Sequence, residues 1–176
     1  MKRVLIAGIG NILLGDDGVG PYVLHQLENS VIFDAGVKLE DLGTPALDFI
    51  DHIAGLDALI VIDSVENGKL PGTITLYGKS ELMRCRSSMR MDTHSPAITE
   101  SLTAAEIFFG ASPTDILLIG VSAETYEAGC TLSKPVQGAV ESVVVEVLKE
   151  LRRLGISFQM KANPDTHVWW SEAQPA

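Results

Sequence analysis

Asp17 in GIGNILLGDDGVG, Asp63 in ALIVIDS and His94 in MDTHSP are metal-capable side chains, each standing just beyond an apolar strand or just before a helix. Two carboxylates and one imidazole form a three-ligand set with coordination positions left open, the pattern of a working site rather than a closed structural one. Mixed nitrogen and oxygen donors suit nickel, zinc, manganese or iron, so ligand type does not choose the metal. Each residue also has a plainer role. Asp17 reads as a helix N-cap, worth about 0.5–2 kcal/mol. Asp63 reads as a turn aspartate, although it ends a strand so apolar that a charge there needs a partner. His94 reads as an exposed loop histidine. Together the three favour a metal-using or metal-recognising hydrolase.

These side chains meet only if the elements between them lead to one edge of a sheet. Residues 3–8 (RVLIAG) form a continuous apolar run, as in a parallel strand buried on both faces. From Asp17 onward, Val19, Tyr22, Val23 and Leu27 recur at helical spacing, with Pro21 tolerable in the first turn. Residues 37–42 make a second strand, and Thr44-Pro45 reads as an N-cap opening a helix through Ile53. The most apolar strand is 58–63, and 73–77 alternates as expected nearer a sheet edge. Ser95-Pro96 starts a helix to about Phe109, 115–121 is another buried strand, and Ser133 to about Leu154 carries a broad apolar helical stripe. The pattern predicts an α/β fold: an open, twisted, mostly parallel sheet with helices on both faces, in a single domain. Residues 1–155 make up that domain. Residues 156–176 lose periodicity and are expected to be a C-terminal appendage, removable past Lys161 at little cost.

Composition removes several function classes. With 176 residues, 46% of them hydrophobic, the chain can bury an ordinary core without staples. A formal charge of −10 argues against nucleic acid, whose binding needs clustered Lys and Arg. Two cysteines, Cys85 and Cys130, are too few for a disulfide framework and fit a reducing compartment, with the cytoplasm as the default. The run VLIAGIGNILLG is broken by three glycines and is neither a secretory segment nor a membrane span.

The glycines invite a nucleotide reading that the spacing does not support. A dinucleotide fingerprint needs a third glycine three places after Gly10, where Leu13 stands. A P-loop needs a lysine, and none lies between Arg3 and Lys38. Asp16 and Asp17 would repel a pyrophosphate, so no nucleotide cofactor is expected. No G-x-S-x-G elbow is present, and Cys85, between Arg84 and Arg86, has no histidine arranged with it. The stretch 79–91, with Lys79, Arg84, Arg86 and Arg90 beside Met83, Met89 and Met91, reads as a solvated loop or an adaptable docking surface.

GIGNILLGDDGVG, LEDLGTPALDFI with Asp41, Gly43 and Thr44, LIVIDS, the THSP histidine and GVSAETYEAGCTLSKPV occur in the order found in one family. Over residues 3–150 the chain resembles the endopeptidases that mature the large subunit of nickel–iron hydrogenases. The resemblance implies removal of a short C-terminal extension from a hydrogenase large-subunit precursor after nickel insertion. It places nickel recognition on Asp17, Asp63 and His94, at the first of which the family carries Asp or Glu. Nickel is then expected to arrive with the substrate, where it could polarise the scissile carbonyl or activate water. Asp41 is a candidate general base or orienting carboxylate, and Gly43 and Thr44 are candidates for placing backbone groups near the peptide. Glu124 is a further cleft candidate. Two alternatives stand beside this reading: a hydrolase with its own permanent metal, and a non-catalytic nickel or maturation chaperone.

Overall fold

Two strands are sealed along their whole length, and they set the architecture. Every residue of β1 (Val4–Ile9) and of β4 (Ala58–Val65) is buried, as central parallel strands covered on both faces must be. The computed structural model describes residues 1–45, 48–84, 95–109, 112–164, 168 and 170. The remaining described elements are α1 (Val19–Ser30), β2 (Val31–Phe33), β3 (Val37–Gly43), α2 (Phe49–Ile53), β5 (Ile74–Gly78), α3 (Lys79–Arg84), α4 (Ser95–Phe109), β6 (Asp115–Ser122), α5 (Lys134–Arg153) and β7 (Phe158–Met160). A single 3-10 turn, Gly15–Gly18, precedes α1.

The five-stranded sheet runs β3-β1-β4-β6-β5. Its first four strands are parallel, and β5 closes one edge antiparallel to β6. The alternating 73–77 pattern therefore marks an edge strand, as expected. One core packs α1 and α5 on one face through Val19, Val23, Leu27, Val136, Val143 and Leu151 against Ile6, Ile60 and Ile62. The other face buries Phe49 and Ile53 of α2, Leu82 of α3, and Leu102 and Ala105 of α4 against Leu5, Leu59 and Val61. The chain leaves β1 for β3 on one side and later proceeds from β4 to β6 on the other. The carboxyl ends of β1 and β4 thus flank the topological switch point, where open α/β sheets form their crevices.

Glycines permit the helix to approach this crevice. A Cβ on Gly20 of α1 would lie 2.3 Å from the Ile9 carbonyl oxygen and 2.6 Å from that of Ile62, so only hydrogen fits there. The glycine-rich opening serves close helix–sheet contact.

Three sequence expectations need correction or extension. The helix expected from Thr44-Pro45 begins at Phe49, and both residues are non-helical; Ala46 and Leu47 lie outside the described residues. Gly43 explains the delay: at φ +55° it turns the chain toward the loop after β1, where its carbonyl accepts from Gly10 N at 2.8 Å. Asp17 does not cap α1, whose N-cap is Gly18 with no side-chain bond. Past Gly155, β7 pairs antiparallel with β2 in a small second sheet. Val168 is buried, and the Trp170 ring meets Tyr22 at 5.5 Å and His25 at 4.9 Å, both edge-on. Trp170 therefore packs on α1.

One buried carboxylate ties the second half of the fold to the first. Asp16, 0% exposed, accepts from Ser133 N at 2.7 Å, Glu124 N at 2.8 Å and Thr125 N at 3.2 Å. Ser133 is the N-cap of α5 and makes no side-chain cap bond. An aspartate more than a hundred positions earlier supplies the missing acceptor at that helix end.

Two stability predictions follow from these contacts. Asp16→Asn turns an acceptor oxygen into a donor facing backbone N–H groups, and should cost about 3 kcal/mol, seen as a Tm loss of about 6–12 °C. An unchanged urea midpoint would refute the role given to Asp16. Ending the chain after Lys161 removes the packed Val168 and Trp170 and should cost about 2 kcal/mol, measurable in the same denaturation experiment.

Candidate active site at the carboxyl edge of the sheet

Ser64, between Asp63 and the end of β4, bonds to both Asp17 and Asp63 beside the switch point. Ser64 donates from Oγ to Asp17 Oδ1 at 3.2 Å and from its backbone N to Asp63 Oδ1 at 2.8 Å. All three are nearly sealed: Asp17 is 3% exposed, Asp63 1% and Ser64 1%. Buried carboxylates need donors, and Ser64 supplies one to each. Asp17 Oδ2 also accepts from Asn11 N at 2.8 Å, so the same carboxylate fixes the loop leaving β1.

The pleat of β4 sends the adjacent residues at its end to opposite faces of the sheet. Ala58, Ile60 and Ile62 face the α1–α5 core, whereas Leu59 and Val61 face the α2–α4 core. Continuing that alternation puts Ser64 on the α1 side, where it meets Asp17, and Asp63 on the side covered by α4. The helix α4 begins at Ser95. His94, the next residue upstream, lies outside the described residues, as do Cys85, Arg86 and Arg90. Among the described residues Ser64 thus links Asp17 to Asp63, and α4 begins at the residue after His94.

The loop between β1 and α1 is held on all sides. Gly10, at φ +127°, lies so close to Asp17 that a Cβ would fall 1.7 Å from its carbonyl oxygen. Asn11 Oδ1 accepts from Leu13 N at 2.9 Å, and Asn11 O from Leu14 N at 3.0 Å. Gly129 clamps the outer side, donating to Leu13 O at 2.9 Å and accepting from Gly15 N at 2.8 Å.

Two hollows open along this edge. One, about 210 Å³, is lined by Gly10, Asn11, Ile12, Asp41, Gly43 and Thr44. Asp41 is exposed there, and its Oδ1 accepts from Gly43 N at 2.9 Å, an Asx turn that shapes the rim. The other, about 610 Å³, lies beyond the ends of β4 and β6 and includes Val65, Glu66, Lys69, Glu124 and Tyr126. Asn67 organises its floor: its amide donates to Tyr77 OH and Thr75 Oγ1, and its Oδ1 accepts from Ser122 Oγ at 2.8 Å. Asp41, Gly43, Thr44 and Glu124 thus all border the carboxyl edge.

Sequence reasoning missed Asp16 and Ser64. The doubled aspartate in GDDG was visible, but nothing local distinguishes the carboxylate that turns to α5 from the one that bonds Asn11 and Ser64. Ser64 gave one usable signal, a hydroxyl completing an otherwise apolar strand. The stretch after Lys79 is only partly described. Lys79–Arg84 is helical, and Lys79 Nζ donates to Ser112 Oγ and Pro113 O, so Lys79 is engaged in holding the fold.

Two buried carboxylates linked by Ser64 stand at a sheet edge that carries two hollows, and known proteins are similar to this chain in fold and sequence. The family model HycI, hydrogenase maturation protease, matches residues 21–150. Over 155 residues the chain is 36% identical to hydrogenase expression/formation protein HoxM of Azotobacter vinelandii, covering 88% of this chain and 74% of that protein. It is 30% identical to the hydrogenase 2 maturation protease of Escherichia coli strain K12, with 88% and 93% covered. The solved structure of the hydrogenase maturating endopeptidase HybD from E. coli aligns with a TM-score of 0.84 at 28% identity, covering 91% of this chain and 98% of that one. The chain belongs to the hydrogenase maturation protease family and is an endopeptidase of hydrogenase maturation.

Proposed function

We propose that this endopeptidase removes the C-terminal extension of a nickel–iron hydrogenase large-subunit precursor once nickel has been inserted, and that Asp17, Asp63 and His94 recognise the nickel carried by that substrate. The observation that carries this reading is the buried pair Asp17 and Asp63, bridged by Ser64 at the switch point. Two carboxylates held by fixed donors keep their positions while a ligand approaches, and such pre-organisation lowers the cost of docking. A donor set of two oxygens and one imidazole suits nickel among other borderline ions.

In this reading the nickel is substrate. It arrives on precursor cysteines, gains ligands from the enzyme and makes affinity high only for the loaded form. The scissile segment lies in the hollow of Gly10, Asp41, Gly43 and Thr44. Asp41 orients or deprotonates the attacking water there, and the rim turn at Gly43 and Thr44 positions the peptide. The reaction takes place in the cytoplasm, where the precursor is assembled. No described helix is long and apolar enough to cross a membrane.

The test is processing of precursor with and without nickel, read by the mass of the large subunit. Enzyme without added ions should cut the nickel-loaded precursor and spare the nickel-free one. Tightly bound zinc that restores cleavage of metal-free precursor would instead favour a protease with its own metal. Loss of an outer-shell partner of a metal ligand typically costs about 10–100-fold, so Asp17→Asn, Asp63→Asn and His94→Ala should each cost more than that while the protein stays folded.

Ser64→Ala keeps the backbone bond to Asp63 but removes the hydroxyl from Asp17. Processing should fall by about 10–100-fold, and Ser64→Thr should recover much of it. Equal activity in wild type and Ser64→Ala would show that the bridge does not position Asp17.

A further inference from the structure

The loop that carries Asp17 also presents Leu13, 58% exposed, and Leu14, 38% exposed, side by side. Burying side chains of this size would stabilise the protein by about 1.5–3 kcal/mol each. Their backbone has no freedom to fold them away. Leu13 N and Leu14 N bond to Asn11, Leu13 O is taken by Gly129, and Asp17 N donates to Leu14 O at 3.2 Å. Asn11 is itself fixed by the Asp17 carboxylate. The turn thus displays the two side chains while satisfying every neighbouring polar group named.

Their position says what covers them. Ile12, the preceding residue, lines the hollow with Gly10, Asp41, Gly43 and Thr44, so the leucines follow directly in the chain on a residue of that wall. The other residues of this hollow are glycine or polar, and the second hollow carries Glu66, Lys69 and Glu124. An endopeptidase must seat a polypeptide along this edge. The leucines are the apolar step on which such a chain can rest, and their fixed conformation means little entropy is lost when it does.

We infer that Leu13 and Leu14 form a docking step for apolar side chains of the precursor polypeptide beside the scissile segment, reading the chain itself and not its metal. The inference rests on the assignment of this edge as the peptide-binding site. It separates recognition into two parts: the leucines bind precursor in either metal state, and the buried carboxylates respond only to the loaded one.

The experiment compares Leu13→Ser/Leu14→Ser with Leu13→Met/Leu14→Met, both at exposed positions, using purified nickel-loaded and nickel-free large-subunit precursor. The serine pair should raise KM for the loaded precursor at least about tenfold with kcat within about twofold, since loss of docking contacts removes uniform binding. It should weaken capture of nickel-free precursor by a similar factor. The methionine pair should stay near wild type, because it keeps the apolar area. Unchanged KM in the serine pair, or equal impairment in the methionine pair, would overturn the proposal. Failure of the nickel reading shows differently, as wild-type cleavage of nickel-free precursor, and the leucine comparison is then made on that substrate.

Discussion

A carboxylate taken out of water must find donors, or its burial costs several kcal/mol. Here two consecutive carboxylates, Asp16 and Asp17, are buried where β1 gives way to α1, and the surrounding structure is arranged around their needs. Asp16 draws the Glu124–Thr125 loop and the start of α5 against the first turn. Asp17 draws in Asn11 and Ser64. The glycines at 10 and 20 let backbone approach closely enough for these bonds to form. Neighbours in sequence thus divide the work, one tying the start of α5 to the first turn and the other tying the loop after β1 to β4.

That division accounts for what was legible in the sequence. The strands at 3–8, 58–63 and 115–121 could be read because burial on both faces requires an unbroken apolar run. The edge position of 73–77 followed from its alternation. The apolar stripe between Ser133 and about Leu154 marked α5. The carboxyl-edge position of Asp17 and Asp63 came from the same strand-end logic. By contrast, the three-residue strands β2 and β7 carry too few positions to show a period. They exist because each supplies the other's hydrogen bonds across most of the chain. The late start of α2 depended on Gly43, whose positive φ serves a bond to Gly10 that no local pattern announces. Trp170 looked like tail until α1 offered Tyr22 and His25 as a surface.

The pleat of β4 has chemical value. A single strand end can offer adjacent side chains to opposite sides of a sheet, so Ser64 supports a residue from the α1 loop while Asp63 turns toward the α4 side. A site built this way draws its members from both layers of the molecule, and the strand itself fixes their separation. Such rigidity keeps the members of a site at fixed positions, as a pre-organised site requires.

The three-pronged grip of Asp16 also orders events in time. Its partners lie near residues 124 and 133, so a ribosome-bound chain displaying only its first hundred residues has the GDDG turn but not the amides that hold it. Until β6 and the head of α5 emerge and dock, the turn bearing Asp17 and the leucines lacks its anchor, and such long-range closure comes late in folding. Proteolytic competence therefore arrives only with a nearly complete enzyme, and a half-made chain carries no working blade.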